Sequence, residues 1–377
     1  MTTKTHFNPK TVTIYSVGLL GGSIGAALKK SNFSGRIVGL SSERSLKTAL
    51  ELNLIDEGYH YSHLSRIIPQ TELLILCSPI LAIVKTIEEL GKMDLPSGLV
   101  ITDIGSTKKI ITEAAQKHLP ASVHFIGGHP MAGSEKSGPG ASDPYIFQNA
   151  IYVLTSVQSN GEEKITDGLG EFLNRYLGCR TVLMDPEKHD TITAAVSHFP
   201  HILASALVLN AYKQEKETPG TLSLAAGGFR DMTRIASGGY EMWHDIFATN
   251  KSAVISQIDS FLEILTGMKI SLKNDSLKES FEEARRIKNS IPSSGKGFIN
   301  SLSEILIMAD DKPGFISSVS ALLARESINI KDIEVMKVRE GEGGTIRMAF
   351  ESAQIANLAV SILNGSGFKA RERSEQC

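Results

Sequence analysis

The chain is poor in cysteine and carries no excess of either charge, and each shortage removes a class of protein. Its 377 residues include three cysteines, Cys77, Cys179 and Cys377, widely spaced and with no CxxC pair. A disulfide-built scaffold or a cysteine-held zinc site is therefore not expected. The 39 basic and 41 acidic residues leave a net charge of −2, so there is no electrostatic reason to expect nucleic acid or an anionic membrane as partner. The longest apolar stretch, Leu73 to Val84, is broken by Ser78-Pro79 and falls short of the roughly 20 residues a membrane span needs. Met1 to Lys10 is polar and lacks the apolar core of a secretory signal. A soluble, cytoplasmic protein is the expectation. Hydrophobic residues make up 41% of the chain, enough for packed cores, and at roughly 150 residues per domain the length suggests two or three.

What is present falls into three blocks. From Lys10 to about Leu183, β-type runs alternate with helical ones: Thr11–Tyr15, Arg36–Leu40, Leu73–Cys77 and Leu99–Thr102 as strands, Gly21–Lys30 and Ser45–Leu52 as helices. This α/β alternation predicts a Rossmann-type parallel sheet covered on both faces, over residues 1–184. From Asp185 to about 290 the strand signals vanish. Asp185-Pro186-Glu187 reads as a helix start, with an N-cap, a proline and an acidic first turn. Ile192 to Tyr212 is apolar almost all round, which predicts a helix buried on most sides. So apolar a helix in so short an all-helical block predicts burial against a second copy, a homodimer. After linker-like residues 291–300, residues 301–377 read as a βαββαβ, ferredoxin-like module.

Five constellations carry chemistry. Ser16-Val17-Gly18-Leu19-Leu20-Gly21 follows the first strand and opens a helix. There, glycines permit a tight turn and the helix N-terminus meets pyrophosphate. Ser16 replaces the first glycine of the fingerprint. About 20 residues on, where a carboxylate usually holds the adenosine ribose, stands Ser41, followed by Ser42 and Arg44. NAD and NADP both stay open, with a lean toward tolerating NADP. Asp103-Ile104-Gly105-Ser106-Thr107-Lys108 sits at a strand's carboxyl end, where ligands of open α/β sheets bind; the alternative is that Ser106 or Thr107 only caps the next helix. Gly127-Gly128-His129-Pro130-Met131-Ala132-Gly133-Ser134-Glu135 reads as a loop too rich in glycine to pack. Its His129 suits proton abstraction near neutral pH. At about 100° per residue, Asp190, Ser197 and His201 share one helix stripe, with Pro200 predicted to kink the helix beside them. His198 and His201 lack further ligands for a metal, and no metal is expected. Finally, Arg230, Asp231 and Arg234 lie in a small-residue run that suggests a carboxylate clamp, or else a surface ion pair.

Taken in order, these motifs, with DPEKHD, SHFPH, GGFRDMTRIAS and EMWHDIF, resemble the prephenate dehydrogenase family of tyrosine biosynthesis over residues 11 to about 290. The last block, with Asp311-Lys312-Pro313-Gly314, resembles an ACT domain. The resemblance implies NAD(P)-dependent oxidative decarboxylation of prephenate to 4-hydroxyphenylpyruvate. It implies His129 as the catalytic base and Ser106 as the serine that orients it. Arg234, His201, Ser197, Ser134, Glu135 and Asp231 would line the substrate. Gly18, Leu19, Leu20, Gly21, Ser41, Ser42, Arg44, Ser78 and Asp103 would line the cofactor. Tyrosine would be the effector, near Asp311, Pro313, Gly314 and Asn329. Ser237-Gly238-Gly239-Tyr240 lacks the family's common Asp-Pro, and His244 stands where arginine is common. Arogenate dehydrogenase, with the same chemistry on the amino-acid analogue, and 3-hydroxy-acid dehydrogenase are the alternatives; the latter typically uses a lysine base.

Overall fold

The computed structural model describes residues 7–156, 162–291, 302–309, 312–339 and 343–373. Asp311, the linker after residue 291 and the turn residues 340–342 lie outside that set. Contacts divide the chain into two units, Met1–Lys273 and Asn274–Cys377.

The first unit begins with β1 (Thr11–Tyr15), α1 (Leu19–Lys30), β2 (Arg36–Ser41), α2 (Glu43–Glu51), β3 (Glu57–His60), α3 (Leu64–Ile67), β4 (Leu73–Leu76) and α4 (Ile80–Leu90). It continues through β5 (Val100–Asp103), α5 (Lys109–His118), β6 (His124–Pro130), β7 (Ile151–Ser156), α6 (Glu162–Leu177) and β8 (Arg180–Leu183). The strands form one sheet in the order β3-β2-β1-β4-β5-β6-β7-β8. β3 through β6 run parallel in that order, β7 runs antiparallel to β6, and β8 follows β7. The parallel sheet therefore ends in a reversed pair that periodicity did not announce. β4, Leu-Leu-Ile-Leu, is wholly buried, as its unbroken apolar run requires of a strand covered on both faces. Strand order reverses between β1 and β4, and this switch opens a crevice at their carboxyl ends.

The expected glycine loop is not a loop. Gly127, Gly128 and His129 belong to β6, between β5 and β7. The glycines are there for close approach: a Cβ on Gly127 would lie 2.3 Å from Thr155 Oγ1, and one on Gly128 2.4 Å from the Asp103 carbonyl oxygen. Composition alone suggested a loop, but the neighbouring strands and side chains leave no room for anything larger.

Five helices complete the unit: α7 (Pro186–Thr193), α8 (Phe199–Glu217), α9 (Gly227–Thr233), α10 (Tyr240–Thr249) and α11 (Lys251–Lys273). Asp185 caps α7 as expected, accepting from the backbone N–H groups of Glu187 and Lys188 at 2.9 Å. Between α7 and α8 lies a π-helical turn, Ala194–His198. It absorbs Pro200, which has no N–H to donate, where the sequence predicted a kink. The resulting rod, Pro186–Glu217, is long and apolar enough by length and composition to cross a membrane, although its apolar residues are interrupted by polar ones. Nor is it buried on most sides within one chain. Only His201 and Ala204 of α8 are buried, while Leu209 is 67% exposed. On α11, Val254 alone is buried, and Leu262, Ile264 and Leu265 face outward.

The second unit holds α12 (Lys278–Ser290), β9 (Ser303–Ala309), α13 (Phe315–Arg325), β10 (Asp332–Arg339), β11 (Gly343–Phe350), α14 (Ala353–Gly365) and β12 (Lys369–Glu372). From β9 on it is the expected βαββαβ module, with strand order β10-β11-β9-β12, all antiparallel. Alternation along β11 sends Ile346 and Met348 into a core with Val319, Leu323 and Leu363. Arg347, between them, bonds Glu304, Asp332 and Glu334 instead. α12, expected with the helical block, falls within this unit.

Because overpacking costs about 1–3 kcal/mol, Gly128→Ala should lower the thermal midpoint of the chain. A melting curve that matches the parent would show that β5 and β6 can separate freely, against the close approach described above.

Candidate active site

The crevice at β1 and β4 has the features of a dinucleotide cradle. Ser16 takes the left-handed conformation, φ 75°, that the first fingerprint glycine adopts freely. Its side chain accepts from Tyr61 Oη at 3.2 Å. A Cβ on Gly18 would meet nothing within 4 Å, whereas one on Gly21 would strike the Ser16 carbonyl oxygen at 2.5 Å. Gly18 thus leaves room for a ligand and Gly21 serves close packing of the helix on the turn. No side chain caps α1, so the backbone N–H groups of its first turn, from Leu19 and Leu20 on, are open to an anion. Across the crevice, Ser78 Oγ is buried without a partner among the described residues. This is an orphan that a bound ligand would satisfy.

Two residues expected at the cofactor, Ser41 and Asp103, are buried instead. Ser41 is buried and its hydroxyl accepts from the Val17 N–H at 3.2 Å, so it braces the turn rather than facing a ribose. Ser42 caps α2, and Arg44 is exposed beside it. Asp103 is fully buried. Its carboxylate accepts from Gly105 N at 2.7 Å and Gly128 N at 3.0 Å and pairs with the Lys108 ammonium, itself fully buried. No face of that side chain is left for a cofactor.

His129 stands at the carboxyl end of β6, half-buried, and Ser106 in the loop after the neighbouring β5. Ser106 does not cap α5, whose first N–H groups are held from another element. Lys108 N and Lys109 N donate to the two Asp190 carboxylate oxygens at 2.7 and 3.0 Å. A carboxylate at a helix N-terminus is favoured by both the unpaired N–H groups and the dipole. The same Asp190 lies 2.7 Å from His189 Nδ1, and His189 Nε2 lies 2.8 Å from His129 Nδ1.

These contacts determine the tautomers. An ionised carboxylate only accepts, so His189 donates from Nδ1 and, while neutral, accepts at Nε2. His129 must then donate from Nδ1, which leaves the lone pair on its Nε2. Burial pushes the His129 imidazolium well below its ordinary range, helped by His189, Lys108 and His198. The ring is therefore neutral near pH 7 and able to take a proton. Sequence reading passed over His189, although it is written in DPEKHD beside Asp190. Adjacent helix residues point about 100° apart, so no shared stripe flags them.

The π turn also changes the expected stripe. His198 is buried and Ser197 only partly so. Asn250 Nδ2 donates to His198 Nδ1 at 3.2 Å and to the Asp190 carbonyl at 2.7 Å. Burial holds His198 down to about 4. His201 stacks on Trp243, ring centroids 3.9 Å apart, and its Nδ1 is buried without a partner among the described residues. Arg234, Asp231, Ser134 and Glu135 are exposed. No hydrogen bond or ion pair among the described residues joins them to His129. In the second unit, Pro313, Gly314 and Asn329 are exposed, with Gly314 at φ 88° opening α13.

Residues 24–179 match the model of the prephenate dehydrogenase nucleotide-binding domain, and residues 185–287 that of the prephenate dehydrogenase dimerization domain. Residues 305–364 match an ACT domain like that of the AHAS small subunit. A prephenate dehydrogenase of Bacillus subtilis is 34% identical over 97% of this chain and 95% of its own length. One from Lactococcus lactis is 35% identical over 92% of this chain and 95% of its own. The crystal structure of the Aquifex aeolicus prephenate dehydrogenase, bound to hydroxyphenyl propionate and NAD+, superposes with a TM-score of 0.68. It is 30% identical and covers 75% of this chain and 98% of that one.

The buried imidazoles make stability depend on pH. His198 is lowered from 6.5 to about 4 on folding, so the unfolded chain takes up its proton first. The stability this histidine contributes is complete above about 6.5 and is lost as pH falls from there toward about 4. Melting temperatures measured across that window should decline. His198→Gln should flatten the decline, and a slope unchanged by the substitution would remove His198 as its source.

Proposed function

The chain belongs to the prephenate dehydrogenase family, and we propose that it oxidatively decarboxylates prephenate to 4-hydroxyphenylpyruvate with NAD, His129 acting as the base. The observation that carries this reading is the His129–His189–Asp190 chain, which leaves Nε2 of His129 with a free pair at a strand's carboxyl end. Bound in the crevice at β1 and β4, the nicotinamide supplies the acceptor for the hydride that leaves the hydroxyl-bearing ring carbon. His129 takes the hydroxyl proton. The bond to the ring carboxylate breaks, carbon dioxide departs, the electron pair left behind completes the aromatic ring, and the phenolate oxygen recovers its proton from His129.

As His129 becomes charged, its Nδ1–H bond to His189 tightens, and Asp190 balances the charge through the second imidazole. Asp190 is itself immobilised by the backbone N–H groups of Lys108 and Lys109 at the start of α5, so the base needs no rearrangement to act. Ser106, one strand over, bonds the substrate hydroxyl. Arg234 binds a substrate carboxylate, with His201, Ser197, Ser134, Glu135 and Asp231 on the substrate side. Gly18, Gly21, Leu19, Leu20 and Ser78 hold the dinucleotide. With no carboxylate at the end of β2, and with Ser42 and Arg44 exposed there, NADP is tolerated as well.

The exposed apolar sides of α8 and α11 meet a second copy in a cytoplasmic homodimer rather than lipid. The rod that contains α8 holds His189, Asp190, His198 and His201 in its buried side, and both helices lie in the residues that match a dimerization domain. Tyrosine, bound to the C-terminal module by Pro313, Gly314, Asn329 and Asp311, inhibits the enzyme.

His129→Asn should abolish most turnover while NAD binding, read by titration calorimetry, persists. His189→Leu should lower kcat about 10²–10⁴-fold, the usual worth of a positioned acid–base group. Full turnover in either variant would reject the base assignment. Rates with NAD or NADP, and prephenate or arogenate, settle both preferences. Adding tyrosine, with and without residues 291–377, tests the regulation, and equal inhibition of both forms would reject it. Sedimentation should give a dimer that Leu209→Asp dissociates; a parent chain that sediments as a monomer would overturn the dimer.

A further inference from the structure

Two charges buried beneath the base are left unexplained by the reaction. Lys108 and Asp103 are both fully buried, a costly arrangement that well-packed apolar residues could replace. Lys108 Nζ bonds the Asp103 carboxylate and donates to the Gly128 carbonyl oxygen at 2.7 Å. Asp103 in turn accepts from the Gly128 N–H at 3.0 Å. Both backbone polar groups of Gly128, the residue immediately before His129, are therefore held by this pair. The Lys108 backbone N–H meanwhile donates to Asp190 at 2.7 Å, the residue at the far end of the imidazole chain. One lysine thus anchors both ends of the relay, the strand that carries His129 and the carboxylate that orients His189.

We propose that the buried Lys108–Asp103 pair is a positioning device for the base, fixing the backbone at Gly128 and placing a cation near the His129 ring. The inference rests on His129 being the base. The charges and imidazoles around that ring come from three places: His189 and Asp190 on α7, His198 on the π turn, and Lys108 with Asp103 on the β5–α5 connection. Lys108 is among the groups that disfavour the imidazolium. A base shielded from protonation by a neighbouring cation works to lower pH than an isolated imidazole. The same cation, tied to the strand by its carboxylate partner, cannot swing away or escape to water.

The test is the pH dependence of kcat/KM in Lys108→Met and in Lys108→Met/Asp103→Leu, which removes the pair as a pair. Circular dichroism and melting establish folding in each. The acid limb, on which His129 loses its proton, should move to higher pH by about half a unit or more in Lys108→Met, with kcat down about 10- to 100-fold, the scale of a misplaced catalytic group. KM for NAD should change little. The double variant should move the limb in the same direction. A folded variant whose limb stays in place would overturn the proposal, because a merely structural pair lowers activity without moving a titration. Collapse of both variants would assign the pair to folding alone and overturn it as well. His129→Asn is the control: if it stays active, the base assignment fails first; if it is inactive while the Lys108 variants keep the parent profile, only this inference fails.

Discussion

The carboxylate of Asp190 is the interaction on which the site depends. It lies on α7, yet its two oxygens take the first N–H groups of α5 and its inner oxygen also meets His189. A helix N-terminus presents unpaired donors and a partial positive charge, and an aspartate from another element satisfies both. The helical rod is thereby pinned to the sheet at the point where the sheet delivers His129. Without that anchor, His189 would have no fixed tautomer and the lone pair on His129 no fixed direction.

A second constraint works from below. Strand β6 lies so close to β7 at Gly127 and to β5 at Gly128 that neither position admits a side chain. The space under them is filled by an ion pair in place of hydrocarbon. Such a pair is a poor source of stability, since desolvation offsets most of its attraction. It is a good source of geometry, because each hydrogen bond it makes to Gly128 has one solution. The histidine next in sequence inherits that rigidity.

Stability and partnership are distributed differently along the chain. The sheet has apolar cores on both faces, and the C-terminal module packs a core of its own beneath α13 and α14. The rod and α11 leave leucines and isoleucines uncovered in a single chain. Exposed apolar area on this scale marks an interaction surface, and these residues lie in the stretch that matches a dimerization domain.

Much of this was legible in the residues alone. Alternating strand and helix runs, the glycines after β1, the Asp185-Pro186 start and the βαββαβ rhythm rest on local physics, which depends on residues a few positions apart. His129 stood out by its chemistry and Ser106 by its place after a strand. The burial of Ser41 and Asp103, the strand at Gly127–His129 and the part of His189 did not, because each depends on a partner far away in sequence. Asp190 and Lys108 are 82 positions apart, His129 and His189 60. Local pattern decided which elements form. Only the packing of those elements decided which polar group meets which, since a hydrogen bond requires a distance that periodicity does not contain.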